Sequence, residues 1–292
     1  MFKQLFGNSG WVAKLFQLIF ISLLFLMVGI IIWSAIFGNT NSIASQKTLQ
    51  LFSAVFLFIL PVVFLSRFWY KKPISALYLN KIPTAQQILL TILLIVSVQP
   101  FINLLIYFNE QIQLPASLKG LEDTFKVLEA NAKKLTDNFL AVKTTYGYII
   151  NLFILAVMPA ISEEIFFRGA TQNIFSEKFS KHTAVWISAI LFSLIHFQMY
   201  GFFPRLILGA LLGYLLVWSR TLWLPILAHF MNNAMGVTLG FLKPENAEIE
   251  VVEKIGKADT YIYGIISAVI SVVILWIIFK NGQKTTGNFS AD

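Results

Sequence analysis

The chain has 292 residues, of which 57% are hydrophobic and 12% charged, with a formal net charge of +8 and a mean hydropathy of +0.74. A soluble domain carries about 25% charged residues, so a single water-excluded core with a charged shell is excluded in favour of a polytopic helical membrane protein. The absence of cysteine removes disulfides, thiolate metal sites and cysteine nucleophiles, and no basic patch with interleaved aromatics points to nucleic acid.

The first apolar run, Val12 to Phe37, is too long for a signal-peptide core and lacks a small-residue cleavage pattern behind it, so it reads as an uncleaved span. Further runs at about 51–69, 86–108, 147–170, 183–199, 202–219, 222–242 and 261–279 bring the expectation to eight transmembrane helices. Each approaches the roughly 20 residues that cross about 30 Å of hydrocarbon. The fifth and sixth are short and separated as drawn only by Tyr200 and Gly201. Pro61, Pro100, Pro159 and Pro225 fall inside spans, where neighbouring helices can satisfy the freed carbonyls. The expected fold class is therefore all-α, a membrane helical bundle forming one domain over 1–280, with a polar, disordered tail at 281–292. Eight spans put both termini on one side. Lys and Arg are tied between the two sides, and their distribution over short loops favours cytoplasmic termini. The compact chain is read as an integral protein of a bacterial plasma membrane, with lipid as its surroundings. Nothing in the sequence sets an oligomeric state.

The loop from 109 to 146 is the one sizeable insertion. Leu118, Leu121, Phe125, Leu128, Ala132, Leu135 and Phe139 recur at steps of three and four, which makes one apolar helical face. An amphipathic helix on the membrane surface or against the bundle is expected here, with a substrate-gating lid as the alternative.

Three polar clusters interrupt the later apolar runs. Charges in a membrane-length segment are costly and usually mark a working site. Glu163, Glu164 and Arg168 come first. Glu164 and Arg168 stand at i and i+4 and can pair. Glu163 is turned by about 100° from Glu164 on a helix of 3.6 residues per turn, so it stays available as a general base for water. A structural ion pair between helices would explain one glutamate and the arginine, but not the second glutamate. His196 follows Phe192 at i+4, and a lone intramembrane histidine is often only an interhelical hydrogen-bonding group. His229 and Asn233, again at i and i+4, share one face and can donate to a developing oxyanion, or His229 can ligate a metal. Asn232 faces elsewhere, and His182 belongs to a loop edge with no chemistry. Together these groups supply what peptide hydrolysis needs: an activated water, a held oxyanion and a proton for the leaving amine.

Glu163-Glu164-x-x-x-Arg168, Phe192-x-x-x-His196 and His229-x-x-x-Asn233, with Phe167 and Gly169 around the arginine, resemble the CAAX-protease and bacteriocin-processing (CPBP, also called Abi) family of intramembrane proteases. The motif region covers about 147–240. The resemblance implies an eight-helix bundle with an active site inside the membrane and endopeptidase activity on a membrane-associated protein or peptide, in some relatives near the C-terminus of prenylated proteins. By position, it implies Glu163 as base, His196 as its partner, His229 and Asn233 as oxyanion donors, and Glu164 with Arg168 as a supporting ion pair. Glu163, His196 and His229 admit a His/His/Glu zinc set and equally a metal-free, glutamate-driven mechanism. His-Glu-x-x-His is absent. A transporter or channel with an intramembrane polar relay, and a catalytically silent membrane scaffold, are the competing expectations. One tension remains: spans drawn this way put His196 about 10 Å nearer the far face than Glu163 and His229, at 1.5 Å rise per residue.

Overall fold

The computed structural model describes residues 6, 7, 9–38, 40, 42–242 and 247–287, and among them the chain is all helix with no strand. Ten helices are used below: α1 (Trp11–Phe37), α2 (Ile43–Trp69), α3 (Ala85–Glu110), α4 (Lys119–Leu140), α5 (Thr145–Ser176), α6 (Lys181–Leu194), α7 (Phe202–Ser219), α8 (Trp223–Leu242), α9 (Ala247–Lys254) and α10 (Tyr261–Gly287). α1, α2, α3, α5, α7 with its leading turn, and α10 with its leading turn are six helices long and apolar enough to cross a membrane. α6 is apolar but has 14 residues, and α8 carries the His229 and Asn233 cluster. The expected eight spans thus coincide with eight helices, of which six meet the length and apolarity of a crossing. The protein is an integral membrane helical bundle.

The outward faces show why these helices need lipid. On α1, Phe16, Phe20, Leu23, Met27 and Ile31 recur at helical spacing and are all exposed. Inward, Leu18, Val62, Leu65, Ile174, Leu216 and Leu222 form one packed core, and Leu94, Ile95, Val98, Leu212, Leu215 and Ala228 form a second. Lys14 is tied to Glu177 at 2.6 Å, which fastens α1 to the end of α5.

Prolines shape the spans. α2 and α5 each pass through a π-helical stretch, Ala54–Ile59 and Leu152–Val157, two residues before Pro61 and Pro159. The wider i→i+5 pattern lets the chain proceed where proline brings no N–H. At Pro100 in α3, α10 makes the repair. The Ser267 hydroxyl inserts into the α3 ladder, accepting from the Phe101 N–H at 3.1 Å and donating to the Ser97 carbonyl.

α4 is amphipathic, as its periodicity predicts, but its docked stripe is rotated. Phe139 is buried, and Phe125 and Ala132 are half-buried. Leu118, Leu121, Leu128 and Leu135 remain exposed, and Glu122 turns inward instead. The Phe139 carbonyl accepts from Asn151 at 2.6 Å and from Lys47 at 3.4 Å, pinning the end of α4 to α5 and α2. The reading of the tail needs correction: α10 continues to Gly287, so the polar run from Asn281 extends a helix. Residues 288–292 lie outside the described residues.

Candidate active site

α5 carries the carboxylates at its centre. Glu164 is fully buried, and its Oε1 accepts from Arg168 Nη1 at 2.7 Å and lies 2.8 Å from His229 Nδ1. One carboxylate oxygen thus joins α5 to α8. Arg168 is also fully buried. Its Nη2 donates to the Gly209 carbonyl of α7 at 2.9 Å, and its guanidinium lies over the Phe192 ring at 4.6 Å. Gly209 also lets α7 close on α6: a Cβ there would stand 3.2 Å from the Ala189 Cα and the Phe192 ring. One turn on, Gln172 Nε2 donates to the Gly213 carbonyl at 3.3 Å. An Arg-x-x-x-Gln ladder on α5 therefore meets a Gly-x-x-x-Gly ladder on α7, the small-residue spacing that lets membrane helices close on one another.

Phe192 is the hub of the constellation. Its ring packs edge-on against Phe167 at 5.3 Å, His196 at 5.2 Å and His229 at 5.8 Å, while Arg168 covers its face. This resolves the depth mismatch expected of His196. α6 ends at Leu194, and residues 195–198 leave the helix, with Phe197 at φ 52°. His196 sits at that break and not deeper along a continuous span, and its Nδ1 lies 2.8 Å from the Phe192 carbonyl.

Partner chemistry assigns both imidazoles the same tautomer. A carboxylate and a backbone carbonyl are acceptors only, so each Nδ1 carries the proton and donates. Each Nε2 is then the nitrogen left without a protein partner at hydrogen-bond distance. His229 Nε2 stands 4.0 Å from Glu163 Oε2, a distance beyond a hydrogen bond. Glu163 keeps 16% of its side chain exposed, against none for Glu164. The two adjacent glutamates are therefore separated into one locked carboxylate and one open one, as their angular offset predicts.

Asn233 joins the site more loosely. Its Oδ1 accepts from Asn232 Nδ2 at 3.3 Å, and Asn232 Oδ1 accepts from Gln99 Nε2 of α3 at 3.3 Å. Asn232, expected to face elsewhere, belongs to an amide chain that occupies the Asn233 carbonyl and leaves its NH2 to donate. His182 meets the Tyr214 hydroxyl at 3.1 Å at an exposed position and is no part of this arrangement.

Four residues were not foreseen. Gln99 stands next to Pro100 in a span read as apolar. The glycines of α7 were legible by spacing alone. Arg205, in the first turn of α7, holds the Gln198 carbonyl at 3.2 Å and the Gln198 side-chain oxygen, and acts electrostatically on both Glu163 and His196. Arg205 also lines a cavity of about 560 Å³ beneath α4, together with Glu110, Glu129, Lys133 and Tyr200. The lone charge in an apolar run was the signal for it.

Zinc was tested against these donors. Among the described residues no group of three His, Asp or Glu is gathered to hold a metal ion. His229 and His196 each donate from Nδ1 to a protein acceptor, which leaves Nε2 as the atom a metal would take, and Glu163 lies 4.0 Å from His229 Nε2. The three donors are therefore not gathered at ligand distances in this structure.

A family model described as Rce1-like, type II CAAX prenyl endopeptidase, matches residues 145–235. The matched segment spans α5, α6, α7 and most of α8, and takes in Glu163, Glu164, Arg168, His196, His229 and Asn233 together with Phe192, Arg205, Gly209 and Gly213. An alignment over 91 residues is 28% identical to uncharacterized protein YpbD of Bacillus subtilis (strain 168), covering 30% of this chain and 44% of that one. The chain thus spans less than half the length of the curated relative it matches. No solved structure matches it.

Proposed function

We propose that the protein is an intramembrane endopeptidase of the CAAX type, hydrolysing a peptide bond of a membrane-associated protein or peptide with water activated by Glu163. The observation that carries this reading is the division of labour between adjacent glutamates: Glu164 is locked between Arg168 and His229, while Glu163 faces His229 Nε2 with no hydrogen bond and part of its surface open. The Rce1-like match over the same residues supports it.

In this mechanism Glu163 takes a proton from water as the water oxygen attacks the scissile carbonyl. The oxyanion accepts from the Asn233 NH2 and from His229 Nε2 in its protonated form. Nε2 of His196, left free by the Nδ1 bond to the Phe192 carbonyl, orients the water. On collapse the C–N bond breaks and the proton on Glu163 passes to the leaving amine. Glu164 and Arg168 touch no reacting atom; they fix the ring of His229.

The test is a cleavage assay on the full chain in liposomes, with a prenylated Cys-a-a-X peptide and its unprenylated twin, with and without chelator. Glu163→Gln, His196→Ala and His229→Ala are each expected to lower the rate by about a hundredfold or more, and chelation to leave it unchanged. Cleavage that survives Glu163→Gln overturns the mechanism and favours a relay or a silent scaffold.

A further inference from the structure

A cavity of about 250 Å³ opens at the far ends of α5, α6 and α7, away from α4. Its wall includes Arg168, Gln172, Ser176, Lys181, Arg220 and Tyr78, and no carboxylate lines it. Two of these side chains are buried with polar atoms left over. Arg168 is fully buried, and its Nε–H has no partner. Gln172 is 3% exposed, and its Oε1 has none. A buried N–H or carbonyl without a partner is costly, so a group that satisfies both is stabilised there. At the mouth, Lys181 and Arg220 are exposed, and among the described residues neither reaches a carboxylate within ion-pair distance. Lys181 opens α6 and Arg220 follows the last residue of α7, so both stand where spanning helices reach the headgroup layer.

We propose that this cavity is a binding site for a phosphate group, supplied by an anionic lipid headgroup. Lys181 and Arg220 neutralise the phosphate at the rim. The Arg168 Nε–H donates to it from within, and Gln172 Oε1 accepts from a headgroup hydroxyl. The guanidinium of Arg168 also pairs with Glu164, so an occupied cavity holds the same arm that orients His229. The site is separate from Glu163 and is read by binding alone, so it stands or falls independently of the protease reading.

The experiment uses the full chain in detergent, with retained lipid counted by native mass spectrometry and phosphate binding followed by thermal unfolding. Phosphatidylglycerol is expected to stay bound at one per chain, enriched about twentyfold over phosphatidylcholine, given the roughly fivefold that each of the two basic residues adds at a membrane surface. The Lys181→Gln/Arg220→Asn variant is expected to lose that enrichment; asparagine tolerates the left-handed backbone at position 220 (φ 56°). The Lys71→Gln/Lys72→Gln variant removes the same charge from exposed positions outside the cavity and is expected to keep it. A rise in unfolding temperature with inorganic phosphate in the wild type alone, without lipid enrichment, supports the site with a soluble source. Equal loss in both double variants assigns the binding to diffuse surface charge and overturns the proposal, as does a wild type that retains neither lipid nor phosphate. Should the double variant fail to fold, Arg220→Asn alone answers the same question, since the position is exposed.

Discussion

Two glutamates in this chain pair with a basic residue four positions on, at nearly the same distance. Glu164 meets Arg168 at 2.7 Å and Glu122 meets Lys126 at 2.6 Å, yet the first pair has no exposed side-chain surface while Lys126 is 57% exposed. The spacing rule that places both is local and identical. What differs is everything perpendicular to the helix axis. Arg168 is received by the Gly209 carbonyl and the Phe192 ring, and Glu164 by His229. Glu122 is turned inward with 12% of its side chain exposed, and Lys126 is left mostly in the open. A pair with one member in the open contributes little because that ion is solvated whether or not it pairs. A pair in the interior is indispensable mainly because neither member can be left alone.

The largest expected effect comes from leaving one buried ion without its partner. Arg168→Leu should cost about 3–5 kcal/mol in a denaturation series in detergent, whereas Arg168→Leu combined with Glu164→Leu should cost less than the single change. Additive losses would show that the two residues are not coupled. Next comes the support behind the pair. Gly209→Ala pushes α7 against Ala189 and Phe192 and should cost about 1–3 kcal/mol as an overpacked contact. It should also lower cleavage, because Arg168 loses its carbonyl; unchanged cleavage would detach the ladder from the site. The exposed pair should barely register: Lys126→Gln is expected to move the unfolding temperature by less than about 2 °C.

The exposed pair does carry a pH signature. The hydrogen bond from Lys126 is the largest influence on Glu122 and holds its carboxyl below the usual carboxylate range. A folded-state value below the unfolded one gives stability that is present at neutral pH and lost as pH falls through the lowered value. Protection factors of the amides in the first turns of α4, referenced to the intrinsic exchange rate at each pH, should therefore fall on acidification, and should fall less in Lys126→Gln. An identical pH profile in the variant would mean that Glu122 is held by something else.

Much of this was legible because it is periodic. Hydropathy located the long helices but cut α2, α5 and α10 short by six to eight residues at one end, and the i, i+4 spacing placed Arg168 on Glu164 and left Glu163 apart. The expected end of α6 was wrong because apolar residues run past it. The helix stops where the His196 ring turns back onto the Phe192 carbonyl, an event decided by one side chain. The docked face of α4 was misjudged for a related reason: Glu122 turns inward to the Leu114 N–H, a partner that periodicity does not reveal. Arg205, Gln99 and Asn232 act through contacts between helices distant in sequence. The glycines at 209 and 213 were a readable motif whose partners, Arg168 and Gln172, were known only once the helices were packed.

α6 has one further consequence. Its 14 residues rise about 21 Å at 1.5 Å each, against roughly 30 Å of hydrocarbon. Trp186, Ile190 and Leu194 face outward along its length, so acyl chains must meet it directly. Beside this helix the bilayer has to pinch, drawing one leaflet down toward the break that carries His196. A thinned patch of that kind shortens the distance a hydrophilic stretch of polypeptide travels from the aqueous phase, and it sets a preference for thin membranes over thick ones.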